Sequence, residues 1–100
     1  MSRRIRWLNI ALSDLDESVE YIAQHNQNAA RKLANRIWNS VQILADNPEI
    51  GRPGRVSGTR ELVISGTPYI VAYRIKRDQV QILRVLHGAR KWPVKFRYDD

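Results

Sequence analysis

Polar and apolar positions change period along this sequence, and each change marks an element. Residues 3–8 alternate, with Ile5 and Trp7 on one side and Arg4 and Arg6 on the other. Period two predicts a short, half-buried strand. Leu12, Leu15, Val19 and Ile22 then fall at the spacing of one helical stripe. Asp14, Asp16 and Glu17 sit near the start of that helix, where its dipole favours negative charge, and Asn9 or Ser13 is suited to cap it. The polar run His25-Asn26-Gln27-Asn28 breaks the pattern, and a second stripe follows: Ala30, Leu33, Ile37, Val41 and Leu44. Asn47-Pro48 ends it, because a residue before proline avoids helical geometry. Two helices across a short polar linker predict an antiparallel helical hairpin.

Residues 48–58 contain Pro48, Gly51, Pro53, Gly54 and Gly58 and read as the main loop. Three strand-like runs follow at 60–65, 69–76 and 79–86, separated by Gly66-Thr67-Pro68 and Arg77-Asp78, which suit hairpin turns. In residues 93–100, Val94, Phe96 and Tyr98 alternate with Lys95 and Arg97, consistent with a short strand or a loosely packed tail. The order strand, helix, helix, strand, strand, strand predicts a two-layer α+β domain, its helical hairpin packed on a mainly antiparallel sheet. Parity puts Val80, Ile82, Arg84 and Leu86 on one face of the last strand and Gln81, Leu83, Val85 and His87 on the other. In the strand before it, Tyr69, Val71, Tyr73 and Ile75 share a face opposite Ile70, Ala72 and Arg74. Both faces are apolar, so these are central strands; one meets the helices, and the other is a partly covered surface with arginines along it.

Length sets one domain over residues 1–100, with a thin stability margin. The chain has no cysteine, which excludes disulfides and thiolate metal sites and suits a reducing, cytoplasmic setting. Basic residues near the N-terminus precede no long apolar run, so neither a signal peptide nor a membrane anchor is expected. The net charge of +7 is unevenly placed. Residues 1–50 carry six basic and six acidic residues, and residues 51–100 carry eleven basic and four acidic ones. A one-sided field of this kind attracts nucleic acid, ribosomes or an acidic protein.

The chemistry concentrates in Arg84-Val85-Leu86-His87-Gly88-Ala89-Arg90-Lys91-Trp92-Pro93. Arg84 on an apolar face needs a partner. Either it forms a structural ion pair, Glu61 being a candidate, or it serves as an anion site for phosphate or a partner's carboxylate. His87 at a strand end is suited to acid/base work near neutral pH, or simply to bonding the turn. Trp92 and Tyr73 read more readily as packing residues than as chemical ones. The two histidines, His25 and His87, have no metal-ligand spacing, and no phosphate-binding glycine loop or nucleophile elbow is present, so no metal or cofactor is expected.

The runs Arg60-Glu61-Leu62-Val63-Ile64, Tyr69-Ile70-Val71-Ala72-Tyr73-Arg74-Ile75 and Val80-Gln81-Ile82-Leu83-Arg84-Val85-Leu86-His87-Gly88-Ala89-Arg90-Lys91-Trp92 resemble the RelE/ParE toxin superfamily, and most closely its ParE branch. The basic first strand, Asp14-Leu15-Asp16, Tyr21-Ile22, Asn47-Pro48 and Gly51-Arg52-Pro53 extend the resemblance to roughly residues 3–93. It implies the toxin of a bacterial type II toxin–antitoxin pair, held by an antitoxin with a DNA-binding dimerisation domain and a disordered acidic-amphipathic tail, in a hetero-oligomer. Leu33, Ile37, Trp38, Arg74 and Arg84 are the expected antitoxin contacts.

The superfamily has two outcomes. RelE-like members cleave messenger RNA on the ribosome without a metal, and Arg60, Arg84 and Arg90 would then hold phosphate, with His87 or Tyr73 as acid/base. ParE-like members poison DNA gyrase by contact, without chemistry of their own. The nuclease-type cluster after Arg84 is thin, with Lys91 its closest substitute, which favours the gyrase-directed reading and a non-enzymatic protein. A third possibility is a non-toxic remnant that keeps only antitoxin binding.

Overall fold

The computed structural model describes residues 2–98. In chain order it contains β1 (Arg4–Trp7), α1 (Asn9–Ala23), α2 (Gln27–Gln42), a 3₁₀ turn (Ile43–Ala45), β2 (Arg52–Pro53), β3 (Arg60–Val63), β4 (Tyr69–Lys76) and β5 (Gln79–His87). The sheet runs β1-β5-β4-β3-β2. β1 pairs in parallel with β5, and every other pairing is antiparallel. The α+β, two-layer expectation holds, with one strand more than the periodicity reveals. That strand, β2, is two residues long inside the proline-glycine loop. Pro53 fits there because an edge strand can lack a donor.

Two local expectations need correction. The first helix begins at Asn9, immediately after the strand, so neither Asn9 nor Ser13 caps it; Leu8 holds the cap position in extended geometry without a side-chain cap. Leu8 is 1% exposed and is anchored by packing instead. The early start also leaves no acid in the first turn. It rotates the buried stripe to Ala11 and Leu15, with Val19 packed beside them, and leaves Leu12 exposed. The second helix is capped by Asn26, whose Oδ1 accepts from the Ala29 amide at 3.0 Å. The polar break thus starts α2 as well as ending α1.

The second correction concerns parity on β5. Ala72 pairs with Arg84 but Tyr73 pairs with Ile82, so the register shifts by one residue at Leu83. Such a bulge reverses the alternation beyond it. Val80, Ile82 and Val85 therefore share the helix-side core with Tyr69, Val71 and Tyr73, against Ala11, Leu15, Ile37 and Val41. Leu83 turns to the opposite face, where Leu8, Val56, Ala72 and Phe96 form a second cluster with Leu86 and Trp92 against it. That face is covered partly by the loop carrying Val56 and partly by the segment after β5. Residues 93–98 form no strand, and Phe96 is 7% exposed; Asp99 and Asp100 lie outside the described residues.

Candidate functional site

A cleft of about 410 Å³ opens between α1 and the end of β5. Arg84 forms its floor. Its Nε donates to Asp14 Oδ2 at 2.7 Å and its Nη2 to Asp14 Oδ1 at 3.0 Å. The Val85 amide also donates to Asp14 Oδ2, at 3.0 Å. Asp14 therefore binds both a side chain and the backbone of the bulged strand. The candidate pairing of Arg84 with Glu61 does not occur: Glu61 pairs with Ala72 and shares its face, away from the helices, whereas Arg84 turns towards α1. Glu61 instead accepts from Arg52, from the Arg55 side chain and from the Arg55 amide. The Asp14 hydrogen bonds raise the Arg84 pKa further above its already high value; burial opposes this, and the charges of Asp14 and Glu17 add to it.

His87 stands at the cleft mouth. Its Nδ1 accepts from the Ala89 amide at 3.2 Å, so a neutral ring carries its proton on Nε2. The ring meets Tyr69 edge to face, with centroids 5.7 Å apart. The His87 carbonyl accepts from the Trp92 indole and the Arg90 amide, each at 3.1 Å. Gly88 permits this turn to lie against the β3–β4 connection: its amide donates to the Pro68 carbonyl at 2.8 Å, and a Cβ would approach Ile70 Cδ1 to 3.1 Å. Arg90 and Lys91 are exposed on the rim. Asp14 and Glu17 also line the cleft, so its positive charge is partly offset from within.

The structure brings Arg84, His87 and Arg90 together but not Arg60. Arg60 donates to the carbonyls of Gly51 at 2.8 Å and Glu49 at 3.3 Å and borders a separate groove with Arg74. Tyr73 is fully buried. Its hydroxyl donates to the Pro48 carbonyl at 2.7 Å and accepts from the Gly51 amide at 2.9 Å. Burial pushes its pKa up, against the opposing effects of the Gly51 hydrogen bond and the Arg60 charge. A phenol so placed cannot reach a substrate.

A second, more apolar groove of about 490 Å³ adjoins the cleft and shares Tyr21, Tyr69, His87 and Arg90 with it. Leu33 lines this groove. Ile37 lies wholly in the core. Trp38 is 46% exposed and stacks on Trp7, with centroids 5.4 Å apart and planes 8° from parallel. Arg74 lies on the sheet face opposite the helices, over the Tyr98 ring.

Sequence reading missed Asp14, Glu17, Ser18 and Tyr21 as cleft residues. They recur at helical spacing on α1, and a polar stripe beside the apolar one was the available signal. Among the described residues no group of three or more histidines, cysteines or carboxylates could hold a metal. No described helix is long and apolar enough to cross a membrane.

Comparison with known proteins matches this arrangement. A family model described as the ParE toxin of the type II toxin–antitoxin system parDE covers residues 5–92. The Sinorhizobium fredii protein named "Putative toxin Y4kP" is 50% identical over 94 residues, spanning 93% of this chain and 97% of its own length. "Toxin RelE2" of Caulobacter vibrioides is 36% identical over 87 residues, spanning 87% of this chain and 97% of its own. A solved structure titled "Chromosomal ParDE TA system from P. aeruginosa" superposes with a TM-score of 0.77 at 29% identity, covering 84% of this chain and 94% of that one. From the first strand to Trp92, therefore, the chain belongs to the ParE family of type II toxin–antitoxin toxins.

Proposed function

We propose that this toxin arrests growth by binding DNA gyrase, acting by contact rather than by chemistry of its own, and that a cognate antitoxin neutralises it in a hetero-oligomer. The carrying observation is the bidentate Arg84–Asp14 pair. Stabilising a phosphorane requires cations facing the phosphate and an acid and a base on either side of it. Here the cleft arginine is engaged by a carboxylate, Glu17 stands beside it, the Tyr73 hydroxyl is enclosed and Arg60 lies elsewhere. Of the two acid/base candidates read from the sequence, His87 and Tyr73, only His87 lines the cleft. The apolar groove suits the amphipathic tail of an antitoxin: Leu33 borders it, and Trp38, outside the groove on the same helix, presents a half-exposed indole. Purified toxin should inhibit gyrase supercoiling and accumulate cleaved DNA; absence of both sinks the reading. Leu33→Asp should weaken antitoxin binding, and unchanged affinity would count against this use of the groove; Trp38→Asp should weaken it as well, and unchanged affinity there would count against a contact on the indole.

A ribosome-dependent ribonuclease is the second reading, favoured by His87, Arg90 and Lys91 sharing one open rim. New messenger RNA ends on translating ribosomes, lost in Arg84→Ala/His87→Ala, would establish it. Induced expression that leaves growth unaffected would instead indicate a remnant that only binds antitoxin.

A further inference from the structure

The apolar groove differs in charge from the cleft it adjoins. Asp14 and Glu17 line the cleft, whereas among the described residues no carboxylate lines the groove. Three cations do: Lys32, Arg36 and Arg90. Lys32 and Arg36 stand one turn apart on α2, and Arg90 follows the end of β5. Arg36 is tethered, its Nη1 donating to the Ser65 carbonyl at 2.8 Å. Gly66, with φ at 78°, leaves the space for it, since a Cβ there would come within 2.5 Å of Arg36 Nη1. Lys32 and Arg90 are not tethered. Both are exposed, and among the described residues neither side chain has a hydrogen bond, an ion pair or a ring contact. The rest of the lining is largely apolar and includes Leu33, Pro68 and Tyr69.

We propose that the groove selects a peptide segment in which an apolar residue is flanked by carboxylates. The apolar side chain packs on Leu33, one carboxylate meets Lys32 on α2, and the other meets Arg90 at the boundary with the cleft. The inference rests on the reading of the groove as the antitoxin site and goes beyond it by fixing the charge pattern of the occupant. Apolar burial supplies most of the affinity of a segment in a groove, and complementary charge supplies selectivity. Two cations without partners gain from an acid on either side and disfavour a basic segment of equal apolar content. A nucleic-acid backbone would satisfy the cations but leave the apolar lining without a partner.

Phage display of random peptides of about 12 residues on the purified toxin tests the proposal. Peptides are scored only where Leu33→Asp abolishes capture. Because Leu33 also packs against the core, Ala29→Gln, which narrows the groove from α2, provides a second block. The scored peptides should carry Asp or Glu on both sides of a Leu, Ile, Val or Phe. Lys32→Glu/Arg90→Glu should weaken them about 10- to 100-fold by fluorescence anisotropy, and selection on that variant should return Lys or Arg at the same positions. Lys95→Glu/Arg97→Glu reverses as many exposed charges on the segment after β5 and should change affinity by less than about twofold. Scored peptides that lack flanking acids, or whose affinity survives the Lys32/Arg90 reversal, overturn the proposal and leave the groove reading standing. An equal loss with Lys95→Glu/Arg97→Glu overturns it too, because a diffuse field would then explain the selection. If no captured peptide responds to either block, the groove reading falls and the charge pattern with it. Single-stranded DNA of about 20 bases that displaces the scored peptides at equal concentration, with the same dependence on Lys32 and Arg90, would assign the cations to nucleic acid and overturn the proposal.

Discussion

Removing Asp14 tests whether α1 is bound to β5 through one carboxylate. Asp14→Ala deletes the acceptor for three hydrogen bonds, at 2.7, 3.0 and 3.0 Å, and leaves Arg84 and the Val85 amide without it. The two side chains are 12% and 21% exposed, between the surface and interior cases. An exposed ion pair is worth about 0–1 kcal/mol, and breaking a fully buried one costs about 3–5 kcal/mol. The expected cost here is about 2–3 kcal/mol, because Arg84 recovers part of its hydration. At this chain length that lowers Tm by about 8–15 °C. Asp14→Asn keeps one carbonyl acceptor and should lose about half as much. Urea unfolding followed by tryptophan fluorescence and circular dichroism measures both, and a double-mutant cycle with Arg84→Ala should give a coupling of about 1 kcal/mol or more. A cost below about 0.5 kcal/mol, with no coupling, would refute the role given to this pair.

Four further outcomes follow from buried polar groups and the covered sheet face. Burial opposes the Glu61 charge, but hydrogen bonds from the Arg55 amide and from the Arg52 and Arg55 side chains outweigh it and hold its pKa below the ordinary value. Its stabilisation is therefore complete above the unfolded pKa of about 4.3 and lost as pH falls through the lower folded value; Tm should drop less steeply in acid for Glu61→Gln than for the unaltered chain. Tyr73→Phe orphans the Gly51 amide and the Pro48 carbonyl and should cost about 1–3 kcal/mol by urea unfolding. Because burial raises the Tyr73 pKa, the unaltered chain should lose stability as pH rises above about 10, a loss absent from Tyr73→Phe. Phe96→Ala should destabilise by about 3 kcal/mol if this ring closes the second cluster; protease resistance and a melting curve unchanged from the parent would show that the segment only rests on the sheet.

Much of the frame is legible in local patterns. The stripe Ala30, Ile37, Val41 and Leu44 is buried as its spacing requires, and β4 spans residues 69–76 as read from alternation. What escapes local reading depends on contacts made far along the chain. Asp14 and Arg84 are 70 residues apart, and nothing near either one announces the other. The bulge at Leu83 leaves no compositional mark, yet it exchanges the faces that alternation assigns to Val85 and Leu86. The helix start at Asn9 is set by the burial of Leu8, where a sequence rule looks for a polar cap. At the site, Arg84 and His87 stand out by residue type alone. The acids opposite them were hidden because Asp14 and Glu17 resemble ordinary helix-surface charges.

That contact with gyrase does the harm is proposed on a cleft whose arginine is already engaged by Asp14. The direct measurement incubates purified toxin with gyrase, ATP and relaxed plasmid, then resolves the DNA after protein digestion. The claim predicts loss of supercoiling and accumulation of linear DNA at toxin concentrations that leave messenger RNA intact on translating ribosomes. Full supercoiling without linear DNA, together with new messenger RNA ends that disappear in His87→Ala, would contradict it.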